Sequence, residues 1–190
     1  PYDVWERYLD IYGLAGLYLQ TTSPKRAARS VIVTKPHAGL TGFTNEIELY
    51  YLKQPDGGRL KVTIDGKTRE LSTASRTKGP GYERWDLPDS LHRIEITAGG
   101  DGPVRIFGMA LDRHQPGVSI DAMGIPGARA RTQLLWNDAL YREHLARRRL
   151  GLVHRALDAV GDEREGGSAL HSHRLSRVLG EDEHRVVKGR

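Results

Sequence analysis

The chain has no cysteine among its 190 residues. This absence excludes disulfide bonds and the common thiolate zinc sites, and it fits any redox compartment. No apolar run approaches the roughly 18 residues that a membrane-spanning helix needs, so we expect no membrane span. The opening residues PYDVWERYLD are charged and begin without Met. They do not resemble a signal peptide, and we expect further sequence upstream of Pro1.

Charge of one sign is not concentrated in any segment, although the net charge is +5. Nucleic-acid sites combine clustered basic residues with interleaved aromatic residues, whereas the basic residues here are scattered and only 7% of residues are aromatic. Arg147, Arg148 and Arg149 are adjacent, but they end a predicted helix, where positive charge complements the helix dipole. We therefore expect no nucleic-acid partner.

Alternation of apolar and polar residues dominates positions 13–112 and predicts about eight short strands. Turn residues separate the strands, and Asp65-Gly66 between two alternating runs predicts a hairpin with a type I′ turn. The predicted strands are 13–22, 29–34, 44–53, 59–65, 68–72, 82–87, 91–97 and 104–112. Their number and spacing predict a mainly β fold, an antiparallel jelly-roll-like β-sandwich.

The same alternation assigns each side chain to a face of its sheet. Leu49 and Tyr51 are expected in the core, whereas Glu48 and Tyr50 are expected to point into solvent. The last strand is apolar on both sides, so we expect it to be covered twice. A helical segment then follows, with Asn137 as its cap and its end near Arg149.

Residues 121–131, DAMGIPGARAR, lie where the strands stop and the helical pattern begins. A Gly-x-x-Gly turn that leads into a helix presents unpaired backbone N–H groups, which can bind a phosphate or an oxyanion. With RIFGMALDR before it, the stretch VSIDAMGIPGARARTQLLWNDAL resembles the second conserved block of SGNH-type (GDSL-like) ester hydrolases. It is most similar to the subgroup with an inserted carbohydrate-binding-module-like β-sandwich, such as bacterial peptidoglycan O-acetylesterases. The resemblance covers roughly residues 11–149.

The resemblance implies that Gly127 offers its backbone N–H to the oxyanion, although the glycine can also serve only the turn. Pro126 stands where relatives usually carry Asn or Ser, and it removes one N–H from the loop. The family's other blocks are missing: the Gly-Asp-Ser nucleophile, the Gly-x-Asn block and the Asp-x-x-His pair near the C-terminus. The chain therefore resembles only the middle of an α/β SGNH hydrolase, and alone it is expected to be inactive. The family also implies a bacterial cell-envelope or secreted location.

The pattern divides the chain into four parts. Residues 1–12 are expected to form a short helix or linker, 13–120 the sandwich insert, and 121–149 the oxyanion loop and helix of a partial SGNH domain. Residues 150–190 are a divergent tail with helical pattern, which is either a genuine, disordered segment or an out-of-frame translation. Its His171, His173 and His184 are expected to be solvated, so we expect no metal and no other cofactor.

Three functions stay open at this point. The chain is a fragment of an esterase that acts on O-acetyl esters of peptidoglycan or another polysaccharide, a carbohydrate-binding β-sandwich without catalysis, or a structural module. Sugar-binding sandwiches stack aromatic rings on pyranoses, and Tyr50 and Tyr18 are the candidates for that role. Trp85 alternates with Arg84 and Asp86, and we assign it to the core.

Overall fold

The computed structural model describes residues 11–21, 27–116, 121, 136–148, 153–154 and 175–176. Within these residues the chain is mainly antiparallel β, with two four-stranded sheets and one helix. The strands of the two sheets are β1 (Leu19–Gln20), β2 (Ala28–Val33), β3 (Thr44–Lys53), β4 (Arg59–Ile64), β5 (Lys67–Ser72), β6 (Gly79–Ser90), β7 (Arg93–Ala98) and β8 (Arg105–Asp112). The helix α1 (Asp138–Arg148) follows, and then the short antiparallel pair β9 (Val153–His154) and β10 (Leu175–Ser176).

The strand order is that of a jelly roll. Sheet A has the order β1-β8-β3-β6, and sheet B has the order β2-β7-β4-β5. Early strands pair with late ones in a nested series, and the hairpin β4–β5 is the innermost pair. Asp65 and Gly66 join that hairpin with φ values of 48° and 83°, as a type I′ turn requires. The predicted fold class is confirmed.

The sandwich core lies between the two sheets, as the alternation predicts. Leu49 of β3 and Val62 of β4 are completely buried there. Tyr51 fills the space opposite Gly81, where a Cβ atom would lie only 2.5 Å from the tyrosine ring. Trp85 packs against the same cluster, as expected.

Strand β8 contributes to two apolar clusters, one on each face of sheet A. Its pairing with β3 shifts between Tyr50 and Tyr51, so that β8 carries one extra residue there. This bulge turns Phe107 away from the core, whereas Ile106 packs into it. The expectation that β8 is covered twice is confirmed, because α1 covers the second face.

The first predicted strand, 13–22, is too long. Of its described residues, 13–21, only Leu19 and Gln20 pair with β8. The chain turns before them, with hydrogen bonds from Gly16 N to Gly13 O (2.8 Å) and from Gly13 N to Leu17 O (3.1 Å). Gly16 adopts φ 69°, which glycine tolerates without strain and which ends the extended conformation.

Strand β6 is longer than the predicted 82–87, because it includes Pro80 and Pro88. Proline cannot donate to a neighbouring strand, but β6 lies at the edge of sheet A and needs partners on one side only. The predicted helix of residues 1–12 falls mostly outside the described residues. In the tail, Val153 and His154 form a strand. The residues after His154 that were predicted to be helical lie outside the described residues. No helix among the described ranges is long and apolar enough to cross a bilayer.

Candidate functional site

Helix α1 lies on the outer face of sheet A, the face that does not contribute to the sandwich core. Asn137 caps the helix, accepting a hydrogen bond from Leu140 N at 2.9 Å. Leu140 packs into a cluster with Tyr50, Leu52 and Phe107. Residues four apart on a helix share one face, and His144 accordingly lies one turn further along the same face. Helix α1, which comes after the Gly-x-x-Gly sequence in the chain, is therefore packed against the sandwich.

The expectation that Tyr50 points into solvent is wrong. The side chain lies on the face that alternation assigns, but α1 covers that face and leaves Tyr50 6% exposed. Its hydroxyl donates to Glu48 Oε2 at 2.8 Å. Burial, and then this carboxylate, raises the pKa of Tyr50. A ring enclosed in this way offers no open face for stacking on a sugar.

His144 is the most enclosed polar side chain of this interface, with 0% exposure. Its Nδ1 lies 3.0 Å from the Tyr82 hydroxyl, and Nε2 has no hydrogen-bond partner among the described residues. The rings of Tyr50, Tyr82 and Phe107 surround it at centroid distances of 5.7, 5.7 and 5.1 Å. Burial lowers the pKa of His144 to about 4. The imidazole is therefore neutral at pH 7.

An ion pair also connects the C-terminal half of α1 to sheet A. Arg147 Nε donates to Glu48 Oε1 at 2.7 Å, and the Glu48 side chain is only 7% exposed. The Arg147 guanidinium also lies 5.2 Å from the centre of the Tyr82 ring. Because Glu48 accepts from both Arg147 and Tyr50, its buried charge is compensated. Arg147 thus does more than complement the helix dipole.

Tyr18, the second candidate for sugar binding, is half-buried at the start of β1. The Arg105 guanidinium lies 4.0 Å from the centre of its ring. Tyr12 lies 5.7 Å from Tyr18, Trp136 6.4 Å from Tyr12, and Tyr141 5.2 Å from Trp136, all between ring centroids. Tyr18 therefore belongs to a row of four partly exposed aromatic rings. Sequence spacing gave no sign of this row, because its members come from two distant segments.

Gly127, the predicted oxyanion donor, lies outside the described residues, as does Pro126. Its role stays a prediction. The described residues that flank this segment are Asp121 and Trp136. Asp121 accepts a hydrogen bond from Arg148 Nε at 2.8 Å, and Trp136 contacts the Tyr141 ring.

Ser90, His92 and Asp65 lie in the order of a hydrolase triad, and nothing in their sequence spacing predicted this contact. Ser90 Oγ is 3.3 Å from His92 Nε2, and His92 Nδ1 is 2.6 Å from Asp65 Oδ2. However, Nε2 also lies 3.0 Å from Pro88 O and 3.1 Å from Thr44 O. Carbonyl oxygens only accept hydrogen bonds, so Nε2 carries a proton and donates it. It cannot take a proton from Ser90 as a catalytic base must.

The raised pKa of His92 also indicates that Nε2 carries a proton. Burial lowers its pKa, but the hydrogen bonds to Asp65 and to the two carbonyls outweigh burial and raise the pKa above its ordinary value. Asp89 stands at the Asp-x-x-His spacing before His92, a match inside the sandwich rather than near the C-terminus. It accepts instead from Arg113 Nε at 2.7 Å. Ser90, His92 and Asp65 therefore form a hydrogen-bonded contact that stabilises this part of the sandwich and has no catalytic role.

The part of the chain that the structure describes contains no cluster of three or more His, Asp or Glu residues arranged for a metal ion. His171, His173 and His184, which are expected to be solvated, lie outside that part.

Several solved structures are similar in fold to about half of this chain. No protein-family model matches the chain, and no curated protein matches it. An active site mutant of a family two carbohydrate esterase from Clostridium thermocellum is 11% identical, with a TM-score of 0.34 over 48% of this chain and 26% of that one. The family two carbohydrate esterase from Cellvibrio japonicus is 14% identical, with a TM-score of 0.35 over 50% and 26%.

A third likeness is the C-terminal domain of EclA, a sugar-binding protein, which is 16% identical. Its TM-score is 0.29 over 50% of this chain and 77% of that one. The chain spans about a quarter of the length of the two esterases. The solved structures that it resembles in part are thus carbohydrate esterases and a sugar-binding domain.

Proposed function

We propose that this chain is the β-sandwich and oxyanion segment of an SGNH-type esterase that removes O-acetyl groups from peptidoglycan or another polysaccharide. In that enzyme a serine, activated by a histidine, attacks the acetyl carbonyl. Gly127 N–H stabilises the oxyanion, and one such donor contributes about 3 kcal/mol to the transition state. The nucleophile and base come from sequence blocks that these 190 residues do not contain.

The observation that supports this proposal is the docking of α1 on sheet A. Here the helix that follows the SGNH-like sequence buries Leu140 and His144 against the sandwich and pairs Arg147 with Glu48. The sandwich and the helix therefore form one continuous unit, which fits a sandwich built into the body of a larger enzyme.

The Ser90–His92–Asp65 contact does not replace the missing nucleophile and base, because both nitrogens of His92 donate hydrogen bonds. Oxyanion stabilisation without them leaves only weak residual catalysis, on the order of 10³-fold over water for a complete oxyanion hole. We therefore expect no acetate release above background when this chain alone meets an acetylated polysaccharide.

The test compares this chain with the protein encoded by the surrounding DNA, read in all three frames on both sides. We expect a Gly-Asp-Ser block within roughly a hundred residues before Pro1 in one frame, and acetate release by the longer protein. A Ser90→Ala substitution is the matched control, and it should leave that release unchanged. The proposal is wrong if the flanking frames hold no such block, or if Ser90→Ala abolishes turnover by the chain alone.

Carbohydrate binding without catalysis is a second candidate, and the aromatic row at Tyr18 favours it. Partly exposed aromatic rings provide apolar faces for pyranose rings. Isothermal calorimetry with neutral oligosaccharides should then detect binding that Tyr18→Ala removes. Phe43→Ala changes an exposed aromatic at the opposite end of the sandwich and is the control. Equal binding by both variants and the unsubstituted chain would exclude Tyr18 from the site.

A further inference from the structure

A patch of exposed apolar side chains lies at the end of the sandwich where β2 and β8 finish and β3 begins. Its five members, which we call the end patch, are 39–73% exposed: Val33, Leu40, Phe43, Leu91 and Leu111. The backbones of Val33 and Leu91 are neighbours, because the residues after them are joined by a hydrogen bond of 3.0 Å. Thr44 connects Phe43 to the same group, through its pairing with β6 and its hydrogen bond to the last residue of β8. Exposed apolar patches of this kind ordinarily mark an interaction surface.

The loop 35–43 presents Leu40 at the tip of the end patch and holds it in one conformation. His37 N donates to Leu40 O at 3.1 Å, and Leu40 N donates to His37 O at 2.9 Å, so the two residues between them form a tight turn. Ala38 adopts φ 47° there, a left-handed conformation that residues other than glycine rarely adopt. At the base of the loop, Gly42 lies against the backbone of the first loop residue, with no room for a Cβ atom. The loop is therefore tightly constrained, and it leaves Leu40 the most exposed large apolar side chain of the described residues.

The same loop surrounds an open cavity of about 510 Å³ beside Leu40. The cavity is lined by residues 36–41 and Phe43, and no residue from 36 to 43 is charged. The polar side chains of this lining are those of His37 and Thr41, and the Thr41 hydroxyl already accepts a hydrogen bond from Phe43 N at 3.3 Å. Small-molecule sites fix their ligands with several convergent polar groups, which this lining does not provide. The cavity therefore fits an apolar side chain.

We infer that the end patch binds a second copy of this chain, with Leu40 of each copy inserted into the loop cavity of the other. The projecting side chain and the cavity belong to one loop. A single two-fold axis therefore produces both contacts at once, as an isologous interface requires. The inference goes beyond the proposed esterase function and does not depend on it.

Charge favours a second copy at this surface. The chain carries a net charge of +5, so two copies repel each other in most relative orientations. The end patch is uncharged, and the charged side chains next to it, Arg113 and Asp89, bond each other, with Nε to Oδ1 at 2.7 Å. The Arg113 guanidinium also lies 5.5 Å from the centre of the Phe43 ring. Two copies can therefore meet here with little repulsion.

The size of the end patch sets the expected affinity. Residues 36–43 together with Val33, Leu91 and Leu111 make eleven residues, whereas a stable interface uses about 20–30 residues from each partner. A constrained loop loses little conformational entropy on binding, which partly offsets the small area. We therefore expect a weak dimer, with a dissociation constant of about 100 µM.

Sedimentation velocity of the full chain between about 5 and 500 µM tests the inference, because the dimer fraction rises with concentration. Leu40→Asp should weaken dimerisation by about tenfold or more, since it places a carboxylate in the apolar cavity of the other copy. Leu17, at the opposite end of the sandwich, is also exposed, at 43%. Leu17→Asp is therefore the matched control, and it should dimerise like the unsubstituted chain. A monomer at every concentration overturns the inference, and so does dimerisation that Leu40→Asp leaves unchanged or that Leu17→Asp weakens equally.

A second measurement uses the absence of cysteine from the chain. Leu40→Cys introduces a single thiol, and in the inferred dimer the two thiols lie near the two-fold axis, where a disulfide requires Cα atoms less than about 7 Å apart. At about 100 µM under mild oxidation, Leu40→Cys should form a covalent dimer about tenfold or more faster than Leu17→Cys. Equal rates for the two variants overturn the inference even if the unsubstituted chain dimerises, because the copies would then meet at another surface.

Discussion

Because His144 is buried and neutral, we expect the free energy of unfolding to depend on pH by a predictable amount. The pKa of this imidazole is about 4 in the folded chain, against an ordinary value of 6.5. Between pH 7.5 and 5 the unfolded chain therefore takes up a proton that the folded chain does not. The free energy of unfolding should fall by about 2 kcal/mol over this interval because of His144 alone. Few carboxylates titrate above pH 5, so the interval isolates histidine.

The measurement is urea unfolding at pH 7.5 and pH 5 for the unsubstituted chain and for His144→Phe. Phenylalanine keeps an aromatic ring against Phe107, Tyr50 and Tyr82 but cannot be protonated. The difference in unfolding free energy between the two proteins should change by about 2 kcal/mol from one pH to the other. Solvated histidines contribute equally to both proteins and cancel. A difference that is the same at both pH values would show that His144 is not buried as a neutral group.

The remaining predictions concern the helix interface and the corner of the sandwich. Leu140→Ala should lower the free energy of unfolding by about 2–3 kcal/mol, because Leu140 is 8% exposed against Tyr50 and Phe107; a loss under about 0.5 kcal/mol in urea unfolding would place α1 away from the sheet. His92→Gln should remove stability that is present below pH 6.5 and is lost as the pH rises through the raised pKa of His92. Urea unfolding from pH 6 to 9 checks this, and an identical pH profile in the variant would contradict it.

Local features of the fold could be predicted well from the sequence. Asn137 caps α1 as expected, and Asp65-Gly66 forms the expected turn. Both depend on the chemistry of neighbouring residues, which the sequence contains in full. Strand β3, at Thr44–Lys53, also has the predicted bounds, because its alternation is regular and turn residues lie on both sides.

The residues that cover the outer face of sheet A could not be predicted in the same way. Alternation places Tyr50 and Glu48 on one side of β3, but it does not say what covers that side. The covering residues, His144 and Arg147, come from a helix about ninety residues later in the chain. A signal was available, because β8 is apolar on both faces and therefore requires a second covering layer. The bulge that turns Phe107 toward the helix also had a signal in the sequence, because Gly108 lies inside β8 at the point where the pairing shifts.

The helix arginines show a second limit of reasoning from sequence. Positive residues at a helix end are ordinarily explained by the dipole, and that explanation needs no partner. In the structure, Arg147 and Arg148 also bind carboxylates, namely Glu48, Asp112 and Asp121. These carboxylates lie far from the helix in sequence, and only the tertiary fold brings them to it.

The central claim, that the chain supplies the oxyanion segment of a carbohydrate O-acetylesterase, is tested most directly by acetate release from the longer protein carrying Gly127→Asp. An aspartate there would place a carboxylate beside the developing negative charge. We expect kcat to fall about 10²-fold or more with KM nearly unchanged, since the oxyanion exists only in the transition state. Gly127→Ala keeps the N–H and is the matched control, with a cost of about 1 kcal/mol if the residue has positive φ. A raised KM with kcat intact, or only a lower melting temperature, would make Gly127 a turn residue and contradict the claim.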